Sequence, residues 1–224
     1  MNLLKSTVGR KILMAVTGLM LIGFISVHLL GNMSVFAGAD GINAYAKHLH
    51  DLGPLVWLFR LAMLGLFAVH ITFGVQLYLE NRAATPDSYA VQKTLVTTFS
   101  AKTMIFTGLT ILAFLLYHLL HFTVQITNPE ISAHNLPLDA AMRPDVFTMV
   151  VSSFQNVFIV LVYIIAMIAL LLHLMHGISS WVQTFGLSTG PSQDKVTFIG
   201  KLVAIAYGLA YIAIPLLLLA RIVK

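Results

Sequence analysis

The chain contains no cysteine and few charged residues, and both shortages narrow what it can be. Without cysteine it cannot hold a thiolate-bound iron–sulfur cluster, a zinc–cysteine site or a covalently attached c-type haem. Charged residues make up 9% of the 224 positions, against about 25% in soluble domains. The mean hydropathy is +0.91. These values exclude a water-soluble protein and indicate an integral membrane protein.

The net charge of +5 and the pI near 9.6 do not point to nucleic acid as a partner. In a chain surrounded by lipid, lysine and arginine mainly decide which loops stay inside. The positive balance is therefore evidence about orientation.

The apolar residues are concentrated in five continuous runs, each near the ~20 residues that a helix needs to cross the hydrocarbon core. Such runs are too long for the alternating strands of a barrel. The first run is longer than the ~7–15 apolar residues of a signal peptide, so we expect it to be retained. The predicted fold is all-α: one five-helix transmembrane domain over residues 1–224. The predicted spans are 12–31, 56–79, 101–123, 152–177 and 197–220.

Basic residues predict a cytoplasmic N-terminus and an outer C-terminus, because they are enriched on the inner side of membrane proteins. With that orientation the longest polar connections, 32–55 and 124–151, lie outside. Eight basic residues then lie inside: Lys5, Arg10, Lys11, Arg82, Lys93, Lys102, Lys195 and Lys201. Five lie outside: Lys47, Arg60, Arg143, Arg221 and Lys224.

Four histidines lie inside four consecutive apolar runs, one in each: His28, His70, His118 and His173. A histidine at membrane depth is costly, because its nitrogens lose water and find no replacement in lipid. Neutral imidazole is a good axial ligand for haem iron, which takes two such ligands. The pattern therefore predicts two b-type haems, each held by a pair of histidines.

The depth of each histidine predicts how the four are paired. Helices one and three run outward, and a rise of 1.5 Å per residue places His28 and His118 near the outer side. Helices two and four run inward, which places His70 and His173 towards the inner side. The prediction is an outer and an inner haem stacked across the membrane, an arrangement that would carry electrons between its two faces.

Other interpretations of these histidines remain open at this point. A lone buried histidine is more often a hydrogen-bonded structural residue, and a transporter could use several as a proton relay. His121 and His176 each follow a candidate ligand by three residues, and periodicity does not choose between the members of either pair. The remaining histidines lie in predicted outer loops, where solvated histidines are ordinary: His48, His50 and His134.

Three segments resemble the dihaem cytochrome b subunit of succinate dehydrogenase and fumarate reductase, and the resemblance covers nearly the whole chain. They are GRKILMAVTGLMLIGFISVHLLGN (Gly9–Asn32), YHLLHFT (Tyr117–Thr123) and HLMHGISSWVQTFG (His173–Gly186). The family is a five-helix anchor whose haem ligands lie on the first four helices.

The resemblance selects ligands that periodicity leaves open. In that family the helix-three ligand is the first histidine of HLLHFT, which implies His118. The helix-four ligand stands four residues before a glycine, which implies His173. The ligand before an L-x-x-N ending is His28, and His70 takes the helix-two role.

The resemblance also implies partners and a location. Such a subunit lies in the bacterial cytoplasmic membrane and anchors, on its inner face, a flavoprotein that interconverts succinate and fumarate and an iron–sulfur protein. It exchanges electrons with a quinone, most often menaquinone. Some fumarate reductases have a glutamate two residues before the helix-four ligand; here that position is Leu171, which argues against a proton route through this helix. The alternative in the same class is the cytochrome b of a hydrogenase or a formate dehydrogenase.

Haem propionates are carboxylates that need basic partners, because buried unpaired carboxylates are costly. The alternative role for basic residues at span ends is to anchor lipid headgroups. The candidates at the inner edge are Arg10, Lys11 and Arg82, and those at the outer edge are Arg60 and Arg143.

Two further sites follow from the orientation. The inner segments 80–100 and 181–196 are the expected partner interface. A quinone site is expected beside the outer haem, with His50 and Asp51 as the proton-exchanging groups, because histidine titrates near neutral pH. Tyr45 and His48 are alternatives, and an ordinary polar loop is the other interpretation.

Overall fold

The computed structural model describes residue 4 and residues 6–84 and 98–223. All the regular structure in these residues is helical. A 3₁₀ turn over Ser34–Ala37 joins α1 to α2, a π-helical turn over Leu119–Thr123 extends α5, and a 3₁₀ turn covers Pro129–Ile131. The α-helices are α1 (Thr7–Met33), α2 (Gly38–Asp51), α3 (Pro54–Ala83), α4 (Phe99–Lys102), α5 (Met104–His118), α6 (Val146–Ser153), α7 (Val157–Thr184) and α8 (Gly190–Leu219).

Five of these helices are long and apolar enough to cross a membrane, which confirms the predicted number: α1, α3, α5 with its π turn, α7 and α8. Four of them extend past the predicted apolar runs, because a helix continues into the headgroup region, where polar side chains are solvated. Thus α3 continues to Ala83 and α7 to Thr184. The predicted inner segment 181–196 is therefore mostly helix ends, and the turn between α7 and α8 is short. Residues 85–97 of the other predicted inner segment lie outside the described residues.

Side-chain caps explain where several helices begin. Ser6 accepts a hydrogen bond from the Gly9 amide at the start of α1. Asn156 accepts one from the Phe158 amide, which separates α7 from the preceding α6. A capping box of Thr189 and Ser192 begins α8. These caps satisfy amides that have no partner within the helix.

The connection 32–55, which the predicted orientation places outside, is not the irregular loop that its polarity predicts; inner and outer refer to that predicted orientation throughout. Most of it forms α2, an amphipathic helix whose Ile42 and Asn43 are buried. Asn43 donates to the carboxylates of Asp139 and Asp145 and accepts a hydrogen bond from the Phe147 amide, 2.8 Å away. This one amide therefore ties α2 to the segment that leads into α6.

The spanning helices form a bundle with two diagonals. The most extensive packing joins α7 to α8, and α1 packs against α3 and α7 while α5 packs against α7. Helices α3 and α5 also make a smaller contact. The four helices therefore follow one another around the bundle in the order α1, α3, α5, α7, so α1 lies diagonally opposite α5, and α3 opposite α7. A hydrophobic cluster fills the outer half of the bundle, with Val35, Phe154, Val160, Tyr163 and Leu218 among its buried members.

Candidate functional site

The four predicted ligands meet in two pairs across the bundle diagonals. The ring centroids of His28 in α1 and His118 in α5 are 5.8 Å apart. Those of His70 in α3 and His173 in α7 are 6.3 Å apart. The pairing that depth predicts is the one that the structure brings together.

Both distances suit a metal ion bound between the rings. Metal–imidazole bonds are about 2 Å long, and each ring nitrogen lies about 1 Å from its centroid, so two axial rings would have centroids about 6 Å apart. The observed separations of 5.8 Å and 6.3 Å match this value. In each pair the rings come from helices on opposite sides of the bundle, as ligands on the two faces of a flat porphyrin must.

Threonine hydroxyls orient both inner histidines. Thr17 of α1 lies 3.2 Å from His70 Nδ1, and Thr107 of α5 lies 3.3 Å from His173 Nδ1. Each hydroxyl donates its hydrogen to a carbonyl of its own helix, at 2.8 Å for Thr17 and 3.1 Å for Thr107. It can then only accept from the imidazole, so Nδ1 carries the proton and the Nε2 lone pair is free. Metal-binding histidines commonly have such a partner for the second ring nitrogen.

In the outer pair His118 has a different partner, the phenol of Tyr163 in α7. Its hydroxyl lies 3.2 Å from His118 Nδ1 and 3.0 Å from His121 Nδ1. Aromatic rings surround the pair: Phe24 stacks on His28, and Phe114 and Phe122 lie beside His118. The environment suits a flat apolar ring system.

The structure gives His118 and His121 different surroundings. Both ring nitrogens of His121 have protein partners: Nδ1 meets Tyr163, and Nε2 lies 3.2 Å from Ser153 Oγ and 3.4 Å from Asn128 Nδ2. Its side chain is buried, and the ring that contacts His28 is that of His118. His121 is thus a structural histidine, whereas His118 presents a ring to His28. On α7 it is His173 that faces His70, while His176 lies one turn further along.

Two glycines make room for the inner histidines. A Cβ placed on Gly18 would lie 3.2 Å from His70 Cε1, and one on Gly108 would lie 3.5 Å from His173 Cε1. Each glycine directly follows the threonine that orients the same ring. The first distance is tighter than ordinary van der Waals contact, so a larger side chain at Gly18 would displace the His70 ring, whereas the second is an ordinary contact distance.

The predicted propionate partners have different surroundings. Arg10 is half-buried, forms a 2.7 Å ion pair with Glu80 and keeps a buried Nε without a hydrogen-bond partner. That unpaired donor at the inner edge of α1 suits a carboxylate. Lys11 and Arg82 are exposed, and Arg60 is exposed with its guanidinium 4.9 Å from the centre of the Trp57 ring.

Arg143 is held by protein carboxylates. It pairs with Asp40 and Asp139, each at 2.8 Å, and so joins α2 to the outer connection. Partial burial would raise the pKa of Asp139, but hydrogen bonds from Arg143, Asn43 and the Ala141 amide outweigh it and lower that pKa to about 2. Hydrogen bonds to Asp40 and Asp139 raise the pKa of Arg143. Arg143 is thus a structural residue that holds α2 against the connection before α6.

The predicted quinone residues lie at the exposed end of α2. Asp51 is 59% exposed and accepts two hydrogen bonds from Lys47 within the same helix. His50 and His48 are exposed, as is His134 in the later outer connection. The alternative candidate Tyr45 packs directly on Gly31, three residues beyond His28. Of these residues, Tyr45 therefore lies against the helix that carries an outer histidine.

Three residues that sequence reasoning missed complete the site: Thr17, Thr107 and Tyr163. A repeat could have revealed the threonines, because Thr-Gly-Leu occurs eleven residues before His28 and again eleven residues before His118. At 1.5 Å per residue, the threonine and the histidine on each of these two helices lie about 16 Å apart along the helix axis. His70 and His173 are likewise each followed by glycine four residues later. Nothing in the sequence distinguishes Tyr163 from other buried aromatic residues.

Among the residues that the structure describes, no group of three or more histidine, aspartate or glutamate side chains could hold a free metal ion. A haem needs only two protein ligands, because the porphyrin supplies the others. Comparison of the chain with models of protein families, with curated proteins and with solved structures gives no match.

Proposed function

We propose that this protein is a dihaem cytochrome b that carries electrons across a membrane. The observation that carries the proposal is the meeting of four intramembrane histidines in two pairs across the bundle diagonals. When bound, each haem would supply a one-electron carrier at its own depth. His28 and His118 would hold the outer haem, and His70 and His173 the inner one.

The chain's own residues prepare these sites. Thr17 and Thr107 hold the two inner imidazoles with Nε2 directed away from the hydrogen-bonded Nδ1. Gly18 and Gly108 leave space for the rings. The partnerless Nε of Arg10 offers a donor to an inner propionate. Aromatic side chains beside the outer pair offer the apolar surroundings that a porphyrin ring would need.

Within this class we propose the anchor subunit of a succinate dehydrogenase or fumarate reductase complex in a bacterial cytoplasmic membrane. The proposal takes this from the resemblance of the three quoted segments. A flavoprotein and an iron–sulfur subunit would dock on the inner face, and a quinone, with menaquinone expected, would react beside the outer pair. Dicarboxylate chemistry would belong to the flavoprotein.

A reduced-minus-oxidised difference spectrum of the purified protein tests the redox proposal. Sharp b-type haem bands are expected, whereas a proton-coupled transporter built on buried histidines would show none. Tagging the chain in its native membrane then tests the complex. Copurification of a flavoprotein with succinate or fumarate activity supports the anchor role, and copurification of a hydrogenase or formate dehydrogenase would replace it.

A further inference from the structure

A single phenol connects the outer candidate ligand to a buried hydrogen-bond chain. Tyr163 is 7% exposed. Its hydroxyl contacts Nδ1 of both His118 and His121. A buried tyrosine hydroxyl normally needs a partner, but two histidine partners at once constrain where every proton lies.

Ser153, at the far end of this hydrogen-bond chain, fixes which group donates in each of its hydrogen bonds. Ser153 Oγ donates to the Met149 carbonyl at 2.7 Å, so it accepts from His121 Nε2–H at 3.2 Å. The amide nitrogen of Asn128, which could only donate, lies 3.4 Å from the same Nε2, beyond the usual hydrogen-bond range, so the shorter Ser153 contact decides the tautomer. With its proton on Nε2, neutral His121 has only a lone pair on Nδ1, and Tyr163 must donate to it. The Tyr163 oxygen is then left to accept from His118 Nδ1–H. The Nε2 lone pair of His118 is thereby free.

We propose that Tyr163 is the positioning residue of the outer site, selecting the ligating tautomer of His118 and strengthening its donation to iron. This inference rests on the proposed function. Each link of a hydrogen-bond chain polarises the next, so a phenol that already donates to His121 is a better acceptor for His118 Nδ1–H. The imidazole of His118 thereby gains negative character, which would stabilise oxidised iron relative to reduced iron.

The two layers differ in this respect. In the inner layer both imidazoles have threonine partners, each of which ends in a carbonyl of its own helix. In the outer layer His118 has the longer chain through Tyr163, and His28 is packed by Phe24 and Tyr211. Removing the Tyr163 hydroxyl should therefore change one haem and leave the other as it was.

Potentiometric titration of the Tyr163→Phe variant, purified with its haems, tests this inference. The expected result is two haems per chain, with a higher midpoint potential for the outer component and no shift for the inner. The outer component is identified as the one that His118→Ala lacks. Tyr207→Phe is the matched control, because it removes a phenol of α8 whose hydroxyl is hydrogen-bonded to Ser26 of α1 and to neither outer histidine. It should leave both potentials unchanged, and Thr107→Val should move the inner component alone.

An unchanged outer potential in Tyr163→Phe, or an equal shift of both components, would overturn the inference. If that variant loses the outer haem, Ser153→Ala decides, because it removes only the last link of the chain. A rise of the outer potential in Ser153→Ala then supports the inference, and an unchanged potential contradicts it. Failure of the proposed function is distinguishable, since the unmutated protein would then show no pair of haem components to titrate.

Discussion

The choice between neighbouring histidines is decided by hydrogen bonding. His118→Ala should reduce haem from two per chain to one, because it removes the ring that faces His28. His121→Ala should keep both haems, because both nitrogens of His121 already have protein partners. Haem content after purification measures the difference. Loss of a haem from His121→Ala with full content in His118→Ala would reverse the assignment, and His173 and His176 can be compared in the same way.

Glycine at position 18 permits the inner site to form. Gly18→Val should lose the inner haem, because its side chain would occupy space that the His70 ring needs; even a Cβ would lie 3.2 Å from that ring. Gly23→Val on the same helix is the matched control, since a Cβ there meets nothing within 4 Å. The α-band amplitude per polypeptide should halve in the first variant only. Equal amplitudes in both would show that Gly18 has no role in spacing.

At the residue scale, depth along each helix was enough to pair the histidines, because span order and the rise per residue are readable from sequence. Their partners were not readable, because Thr17 and Tyr163 reach the site through helix packing. The repeated Thr-Gly-Leu motif was a usable signal for the threonines. For Arg143 the sequence showed a cation at an outer edge but not the carboxylates of Asp40 and Asp139 that hold it.

At the scale of elements, apolar runs located the five spans but not the helix that lies between two of them. Helix α2 is polar enough to resemble a loop. Its apolar residues Ile42, Tyr45 and Leu49 nevertheless follow helical spacing. Four of the five spans were also placed too short, because hydropathy reports the lipid boundary while hydrogen bonding and caps decide where a helix ends.

The packing of α2 against the connection before α6 should depend on the side-chain amide of Asn43. Asn43→Leu should destabilise the protein by about 1–3 kcal/mol, because it leaves the buried Phe147 amide unpaired and removes one hydrogen bond from each of the carboxylates of Asp139 and Asp145. Thermal unfolding in detergent measures the loss. Asn135→Leu, in the exposed part of the outer connection, is the control. Equal unfolding temperatures for the two variants would contradict this role.

The contacts that hold α2 against the connection before α6 should weaken in acid. The pKa of Asp139 is lowered from 3.8 to about 2, so the ionised carboxylate stabilises the fold above pH 3.8, and this contribution is lost as the pH falls towards 2. Asp139→Asn should lower the unfolding temperature at pH 7, and its difference from the unmutated protein should narrow across that acid range. Asp194→Asn, at an exposed site in α8, serves as the control. A difference that stayed constant down to pH 2 would exclude the ionised carboxylate as the cause.

At the scale of the whole molecule, the absence of cysteine makes orientation directly testable. Two exposed leucines lie at opposite ends of the bundle, Leu187 in the turn between α7 and α8 and Leu138 in the connection before α6. With a cytoplasmic N-terminus, a membrane-impermeant maleimide should label Leu138→Cys in intact spheroplasts and Leu187→Cys only after permeabilisation. The opposite pattern would invert the topology and move the expected partner interface to the other face.

The central claim is that two histidine pairs at two depths each hold one haem. The pyridine haemochrome assay, combined with quantitative amino-acid analysis of the purified full chain, measures it most directly. The account predicts two haems of b type per polypeptide, one for His28 with His118 and one for His70 with His173. A ratio of zero or one in the intact protein would contradict it.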